Sequence, residues 1–390
     1  MRMPATMHEL QAAALPARRV RVRKAWVLIH LWLGLTLGVA GSLLGVTGSV
    51  LVFDQALDGA LNPQRYATSG REVSLPYADY AQRGARAVGA GARAVNLRLP
   101  QAEAMPVVVF VRAKGATGAL RRVYLDPPTG RVLDAPATGG LIAWAHDFHE
   151  SLALRDYNGR EIVGCVGIAM LVSSLSGIYL WWPRGRFRRK DFGFRRGPVV
   201  SRNLHLTLGL YSSLVLAMLS FTGIFLSFPD AGRAAVGALA PVSPSTRGVQ
   251  APESHGRPLT PDDAVAIALA QLPDAAVTGV GIPAGPRGVY RIALREPGDD
   301  GERGGAVIFI DPRAATVLRR IDRTTQTSGD AFLAYQRPLH EGDALGLAGR
   351  IVICGVGLLP ALFVVTGTMM WLRSRRKRSL PRAEAAALGG

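Results

Sequence analysis

Four of the seven histidines in this 390-residue chain lie in two repeated sequence contexts. His30 and His205 each begin the pattern His-Leu-X-Leu-Gly-Leu, and each is followed seventeen residues later by a Thr-Gly pair. His149 and His340 each precede a glutamate and, after a short stretch, a Gly-Arg pair. Neutral imidazole is the commonest protein ligand for metal ions. These four histidines are therefore candidates for binding a metal or a metal-containing cofactor.

The repeated contexts belong to an internal duplication. The histidines of the first context are 175 residues apart, and those of the second are 191 residues apart. In each half the chain then enters an apolar run that ends in a small residue, a glycine and a tryptophan: Ser176-Gly177 to Trp181, and Thr366-Gly367 to Trp371. Two copies of one unit, diverged mainly in loop length, account for most of the sequence.

Four long windows contain no Asp, Glu, Lys or Arg. Each is long enough, at about 1.5 Å rise per residue, to cross a hydrocarbon core of about 30 Å. We predict four transmembrane helices, at 25–53, at 203–228, and within the segments 139–182 and 331–372, each of which begins with a histidine-containing stretch. The first window follows basic residues, but it is longer than a signal-peptide core of about 7 to 15 residues. We expect it to be an uncleaved anchor.

The formal charge of +18 is concentrated beside these helices. Segments 1–24, 183–202 and 373–390 carry net charges of +5, +7 and +5. The positive-inside rule places such segments in the cytoplasm. This explains the charge without a nucleic-acid partner and makes the lipid bilayer the first expected partner. Both termini are then cytoplasmic, and the inserts 54–138 and 229–330 lie on the other side, which in a bacterial inner membrane is the periplasm.

The two cysteines fall within the second and fourth predicted helices, at Cys165 and Cys354. The inserts therefore contain no cysteine from which a disulfide could form. As small and weakly polar residues, the two cysteines suit helix packing better than redox chemistry.

Each insert has the pattern of a helix followed by a small antiparallel sheet. In the second insert, Thr260-Pro261 provides an N-cap and a proline at the first helical position. The first insert predicts a helix near 77–88 after Pro76. Apolar, β-rich stretches then predict strands at 94–99, 105–111, 121–125 and 131–133, and at 277–282, 289–294, 306–310 and 316–318.

The motifs and their order resemble those of PepSY-associated transmembrane proteins. This family is also described as iron-regulated membrane proteins and includes bacterial ferrisiderophore reductases. The resemblance covers about residues 20–375 and rests on His30-Leu-Trp-Leu-Gly34 after Arg23-Lys24, Phe148-His149-Glu-Ser-Leu152, Ser176-Gly-Ile-Tyr-Leu-Trp-Trp-Pro183, Arg202-Asn-Leu-His205 and Leu339-His340-Glu-Gly342 before Gly349-Arg350. It implies a membrane α-helical fold of four transmembrane helices, arranged as two parallel helix–insert–helix repeats, with two small α+β PepSY-like periplasmic domains.

Parallel repeats of two helices are related by a pseudo-twofold axis along the membrane normal, so equivalent histidines lie at equal depth. His30 and His205 closely follow basic residues and belong near the cytoplasmic boundary. His149 and His340 precede the second helix of their halves and belong near the periplasmic boundary. Two histidine pairs at opposite faces fit two haem b groups, each with two axial imidazoles.

Haem also requires room beside its ligands and cations for its propionates. Gly34 and Gly209 lie four residues after their histidines, on the same helical face. The predicted propionate partners are the nearest basic residues: Lys24 and Arg202 for the cytoplasmic site, and Arg160 and Arg350 for the periplasmic site. The competing interpretation is that each histidine is a hydrogen-bonded interior residue or part of a proton path. His146, one turn before His149, is either a surface residue or a further metal ligand.

We therefore predict an inner-membrane diheme b electron-transfer protein, which the resemblance suggests reduces ferric siderophore iron or another periplasmic ferric chelate. Its electron donor is left open between quinol, a flavoprotein and a reduced cytosolic carrier. The alternative is a membrane-anchored PepSY protein that binds peptides or regulates a protease and carries no haem.

Overall fold

The computed structural model describes residues 7–115, 120–137, 139–182, 200–245, 248–253, 256–298 and 305–379. The predicted cytoplasmic loop and tail therefore lie largely outside the described residues. The chain divides into two compact units. We call Met1–Val52, Ala145–Pro229 and Leu339–Gly390 the helical unit, and Phe53–Trp144 and Asp230–Pro338 the sheet unit.

The α-helices follow one another in chain order as α1 Met7–Thr36, α2 Gly38–Leu51, α3 Asp54–Leu61, α4 Tyr77–Val88, α5 Gly140–Ser151, α6 Gly159–Trp181, α7 Val200–Ser227, α8 Pro229–Gly237, α9 Pro261–Gln271, α10 Ser328–Glu341, α11 Gly346–Gly357 and α12 Leu359–Ser379. Short 3₁₀ turns occur at Pro63–Tyr66, Arg155–Tyr157 and Asp343–Leu345. The strands are β1 Arg93–Arg98, β2 Val107–Arg112, β3 Arg121–Leu125, β4 Val132–Asp134, β5 Ala276–Gly281, β6 Tyr290–Arg295, β7 Ala306–Ile310 and β8 Val317–Ile321.

Within the described residues, three stretches of helix are long and apolar enough to cross a membrane: Gly159–Trp181, Val200–Ser227 and Asp343–Arg376. A fourth span exists if Val20–Thr36 and Gly38–Leu51 count as one, but these helices are bent by 59°. The predicted transmembrane segment 25–53 is therefore helical but divided by a bend.

The bend has identifiable local causes. The Thr36 hydroxyl donates a hydrogen bond to the Trp32 carbonyl at 2.7 Å, and such bonds bend helices. At Gly38, a Cβ would lie 2.8 Å from Cγ2 of Val364. Glycine thus permits close packing of α12 at the point where the helix changes direction.

Small residues bring the helices of this unit into backbone contact. A Cβ on Gly45 would collide with the carbonyl oxygen of Gly357. Ser49 on α2 donates a hydrogen bond to the Cys354 carbonyl on α11 at 2.8 Å. Membrane helices associate through such close packing and interhelical hydrogen bonds, since lipid provides little hydrophobic driving force between them. As predicted, the two cysteines lie in α6 and α11.

The sheet unit contains eight described strands in the order β4-β3-β2-β1-β5-β6-β7-β8, with antiparallel pairing throughout. Alternate residues of the strands point to one face and form the core with α4 and α9. The largest fully buried side chains of this core are Tyr80, Leu97, Leu125, Ile292, Leu294, Ile308 and Ile310.

The two inserts were predicted as separate small domains, but they share this one sheet. Strands β1 and β5 pair through Leu97 and Val280, so neither half retains an open edge there. The carboxylate of Asp262 on α9 also accepts hydrogen bonds from the backbone amides of Tyr77 and Ala78, at 2.7 and 3.0 Å. It caps α4, whose own preceding residue, a proline, makes no side-chain cap.

A buried carboxylate holds the turn between β3 and β4. Asp126 is 1 % exposed and accepts hydrogen bonds from the amide and hydroxyl of Ser69 at 2.6 and 2.7 Å. The Thr129 hydroxyl also donates to it. Burial by itself raises the pKa of Asp126, but the hydrogen bonds from Thr129 and Ser69 outweigh burial and hold the pKa below its usual range.

We expect Asp126→Asn to destabilise the full-length protein by about 1.5–3 kcal/mol at neutral pH, because hydrogen bonds to a charged group are lost. Because the folded pKa is depressed, this contribution is complete above the unfolded pKa of about 3.9 and disappears as pH falls through the folded value. Acidification below about pH 5 should therefore lower the melting temperature of the wild type more than that of the variant. Thermal unfolding in detergent measures this.

The matched control is Asp274→Asn. Asp274 is exposed and has no hydrogen bond to a described residue. A wild-type melting curve for Asp126→Asn at every pH would contradict the assigned role.

Candidate functional site

The helical unit brings the four predicted histidines together as two pairs. The ring centroids of His30 on α1 and His205 on α7 lie 6.3 Å apart, with the ring planes at 85°. Those of His149 on α5 and His340 on α10 lie 6.1 Å apart, at 55°. Each pair thus contains one histidine from each half of the sequence.

These separations suit a metal ion held between two imidazoles. Two imidazoles that bind one metal from opposite sides, with bonds of about 2.0 Å, have ring centroids about 6 Å apart. Direct packing of the rings allows similar distances, so the hydrogen bonds of the ring nitrogens are needed to decide which nitrogen can act as a ligand.

For His30 and His149, a backbone carbonyl fixes the tautomer. His30 Nδ1 lies 3.1 Å from the Ser173 carbonyl oxygen, and His149 Nδ1 lies 2.9 Å from the Leu44 carbonyl oxygen. A carbonyl oxygen can only accept, so Nδ1 carries the proton. In the neutral ring, Nε2 then presents a lone pair.

For His205 and His340, the hydroxyl of a threonine on another helix fixes the tautomer. Thr366 Oγ1 lies 2.9 Å from His205 Nδ1, and its own proton is donated to the Leu362 carbonyl at 2.8 Å. Thr222 Oγ1 lies 2.9 Å from His340 Nδ1 and likewise donates its proton within α7. Each hydroxyl can therefore only accept from the histidine, which again leaves Nε2 unprotonated.

The first two histidines have hydroxyl partners as well. Ser176 Oγ lies 2.9 Å from His30 Nδ1, and Thr47 Oγ1 lies 3.2 Å from His149 Nδ1. All four imidazoles are thus held by hydrogen bonds at Nδ1, the arrangement found around metal-bound histidines. Among the described residues, Nε2 of His30, His149 and His205 has no hydrogen-bond partner.

A glycine follows each of these hydroxyl residues and makes room for an imidazole. A Cβ on Gly48 would lie 2.8 Å from Cε1 of His149, and one on Gly223 would lie 3.2 Å from Cε1 of His340. On Gly177 and Gly367 it would lie 3.5 Å from Cε1 of His30 and of His205, respectively. Each hydroxyl therefore orients its histidine. At Gly48 and Gly223 the ring packs too closely for a side chain, whereas at Gly177 and Gly367 a Cβ would make an ordinary contact.

These hydroxyl–glycine pairs mark the duplication in the sequence, but no role in the site was predicted for them. The sequence contains a signal for them: a Ser or Thr before a glycine recurs in both halves, 17 residues after His30 and His205, and 27 and 26 residues after His149 and His340. The missing information was which helix packs beside which histidine.

Gly34 and Gly209, which were predicted to leave room for haem, lie beside open space. A Cβ on Gly34 or Gly209 would meet no atom within 4 Å. Both glycines lie one turn after a histidine of the His30–His205 pair, on the same helical face. This space next to the ligands is what a planar cofactor between helices requires.

Of the four predicted cationic residues, Arg160 and Arg350 bind helix ends. Arg160 donates a hydrogen bond to the Leu226 carbonyl at 2.6 Å, and Arg350 Nε donates to the Val52 carbonyl at 3.0 Å. Each arginine therefore donates a hydrogen bond to a backbone carbonyl at the C-terminal end of a helix, and that helix belongs to the other half of the sequence. Lys24 and Arg202 are exposed near the His30–His205 pair in sequence, and the propionate role of all four stays a prediction.

The described residues contain no group of three or more His, Cys, Asp or Glu side chains placed to hold a metal ion. Each pair therefore offers two protein ligands. An isolated structural zinc ion takes four, so a metal at either pair requires ligands from another source.

The two pairs lie toward opposite ends of one continuous helix. His205 belongs to the first pair, and Thr222, which holds a histidine of the second pair, lies seventeen residues later on α7. At about 1.5 Å per residue, this corresponds to about 25 Å along the helix axis, close to the hydrocarbon thickness of a membrane.

The fold and the site define a multi-pass membrane protein with paired, oriented histidines. Residues 27–374 match the family described as the PepSY-associated TM region. The chain belongs to this family, and it is accordingly a membrane protein. No curated protein matches the chain.

Replacing the Thr366 hydroxyl tests the tautomer argument. In Thr366→Val, His205 Nδ1–H loses the acceptor that the Thr366 hydroxyl provides, so if the His30–His205 pair binds a metal or cofactor, its affinity there should fall about tenfold or more. The retained amount per purified chain, measured by absorption spectroscopy, reports this loss. Thr366→Ser keeps the hydroxyl and should retain normal occupancy, and the His149–His340 pair serves as an internal control. Equal occupancy in the Val and Ser variants would contradict the assignment.

Proposed function

We propose that the protein is an inner-membrane electron-transfer protein with two haem b groups that reduces a ferric chelate outside the cytoplasm. The observation that carries this proposal is the presence of two imidazole pairs whose Nδ1 atoms are all hydrogen-bonded to acceptors. His205 of the first pair and Thr222, which holds His340 of the second, are about 25 Å apart along α7.

The ligand count favours haem over a bare metal ion. Each pair supplies two imidazoles, and a porphyrin supplies the four remaining ligands of a six-coordinate iron. The axial ligands of such a haem would be His30 with His205, and His149 with His340. When bound, haem iron supplies reversible one-electron transfer.

The chain's own residues keep these ligands neutral and fixed in orientation. The Ser and Thr hydroxyls keep the Nδ1 protons in place, and the adjacent glycines allow the rings to sit against the helices. Hydrogen bonds at Nδ1 raise the basicity of the ligand. We infer that they tune the redox potential as well as the position of each site.

The charge distribution supports an orientation. The basic segments 1–24, 183–202 and 373–390 favour cytoplasmic placement. The sheet unit, built from the segments between these, then belongs to the periplasm and corresponds to the two predicted PepSY-like regions. Electrons would enter from a cytoplasmic or membrane donor and leave toward a periplasmic acceptor.

The resemblance to ferrisiderophore reductases supports ferric siderophore iron as that acceptor. Reduction of chelated ferric iron weakens the chelate and releases the metal. A haem-free PepSY protein that binds peptides or regulates a protease is the alternative, and the first experiment below decides between the two.

We expect about two haems per chain by pyridine haemochrome assay, one for each histidine pair. His30→Ala or His205→Ala should remove one haem, and His149→Ala or His340→Ala the other. His146→Ala, one turn from His149 on α5, is the matched control and should keep both. No haem in folded wild-type protein from haem-replete cells would favour the regulator.

Ferric reduction should require both pairs, because either pair alone leaves most of the membrane uncrossed. In spheroplasts with an impermeant ferrous-trapping dye, we expect His149→Ala or His340→Ala to abolish reduction while the remaining haem is still reduced by the donor. His30→Ala or His205→Ala should block the entry of electrons. Wild-type reduction by a fully haem-deficient, normally inserted variant would overturn the mechanism, and reduction only at the cytoplasmic face would overturn the orientation.

A further inference from the structure

The sheet unit has a cleft on the face opposite its helix-packed core. Its floor is formed by β1, β2 and β3, and the 3₁₀ turn Pro63–Tyr66 and the helix α3 contribute to its wall. Its lining includes Arg98, Phe110, Arg122, Tyr124, Asp58 and Tyr66. None of the residues that form the two histidine pairs lines this cleft.

Two guanidinium groups share one aromatic ring in the cleft. The Cζ atoms of Arg98 and Arg122 lie 5.4 and 5.9 Å from the centroid of the Phe110 ring. The strand register explains this arrangement, because Phe110 is directly opposite Arg122, while Arg98 is diagonal to it on β1. The three side chains therefore project from the same face of the sheet.

The Asp54 carboxylate of the lining acts on Arg98 electrostatically, but neither guanidinium is in direct contact with a described carboxylate. Among the residues that the structure describes, Arg98 and Arg122 form no ion pair and donate no side-chain hydrogen bond. Arg65, which stacks over Tyr124 at 4.9 Å, contrasts with them. It forms ion pairs with Asp58 and Asp134, each at 2.7 Å.

The carboxylates of the lining already have partners. Asp58 accepts hydrogen bonds from Arg65, Tyr66 and Asn62 at 2.7, 3.0 and 3.0 Å. Asp54 Oδ1 accepts one from the Gln55 amide at 2.6 Å. Two like charges around one ring repel each other, and an anion between them would relieve this repulsion.

The same row of residues continues across the sheet. Successive cross-strand partners lead from Phe110 through Asn96, Gly281, Arg291 and Phe309 to Arg319. Arginine and phenylalanine thus recur on this face of β6, β7 and β8. The cleft is the part of a basic, aromatic sheet face that is formed into a pocket.

We propose that this cleft binds an anionic, oxygen-rich chelate of the catecholate or carboxylate class. Arginine binds pairs of anionic oxygens through parallel hydrogen bonds, and the Phe110 ring holds the two guanidinium groups close to each other through cation–π contacts. That the ligand is an iron chelate rests on the function proposed above, whereas the preference for anions rests on the cleft alone.

The test measures binding without electron transfer. A gallium(III) tris-catecholate complex carries the same ligands as its ferric counterpart but is not reduced by biological donors. Its binding to the detergent-purified full-length protein can be followed by calorimetry. We expect it to bind at least about tenfold more tightly than an uncharged gallium(III) tris-hydroxamate of similar size.

Arg98→Gln and Arg122→Gln should each weaken binding of the anionic chelate about tenfold or more, because one charged, bidentate contact is lost. Arg86→Gln is the matched control, since Arg86 is exposed on α4, which packs on the opposite face of the sheet. Phe110→Leu retains apolar bulk and should show a smaller loss. Arg98→Lys keeps the positive charge but lacks the two parallel N–H donors of the guanidinium. Its affinity for the chelate should therefore lie between those of Arg98→Gln and the wild type.

Unchanged affinity in Arg98→Gln and Arg122→Gln, with wild-type melting curves, would overturn the proposal. So would tighter binding of the uncharged chelate. Chelate binding by the haem-deficient His149→Ala variant separates this proposal from the previous one. If that variant and the wild type bind the gallium chelate but the wild type reduces no ferric chelate, the cleft stands and the reductase function fails.

Discussion

The arrangement of the histidine pairs depends on which acceptor receives the single proton of a Ser or Thr hydroxyl. In an apolar helix, a Ser or Thr hydroxyl donates to a carbonyl one turn earlier, as Thr222 and Thr366 do here. Its oxygen can then only accept. An imidazole beside it must donate from Nδ1 and is left with an unprotonated Nε2. The helix thereby sets the tautomer of His340 and His205 without placing a charge in the membrane.

Glycine makes this arrangement possible. The hydroxyl residue and the following glycine lie side by side on the helix surface, so the ring that bonds to one must pass close to the other. At Gly48 and Gly223, a methyl group would press on the bonded imidazole. At Gly34 and Gly209, where no imidazole packs, the missing side chain leaves a gap instead. Small residues in this bundle thus serve helix packing at some positions and ring packing at others, and at Gly34 and Gly209 they leave open space.

Much of this organisation could be predicted from local sequence. The α4 range of Tyr77–Val88, the strands at 121–125 and 306–310, and the N-cap at Thr260 all agree with the structure, because alternation, proline and capping residues act over a few positions. The duplicated sequence contexts also predicted which histidines lie together, His30 with His205 and His149 with His340. The joined sheet could not be predicted, because the pairing of β1 with β5 depends on two edges far apart in sequence. The bend near Leu37 could not be predicted for a similar reason. Amino-acid composition shows that the segment is apolar, whereas the bend coincides with the Thr36 hydrogen bond and with close packing at Gly38.

The two halves of the chain contribute to the site in different ways. Orientation is arranged within a half: Ser176 holds His30, and Thr366 holds His205. Pairing is arranged between halves, since each pair takes one histidine from each. Arg350 adds a further link between halves through its hydrogen bond to the Val52 carbonyl. One half alone could present oriented imidazoles, but it could not bring two of them to one metal at either end. A protein of this design therefore needs both halves to form either site, and this requirement explains why the histidine, hydroxyl and glycine positions recur while the loops between them differ in length.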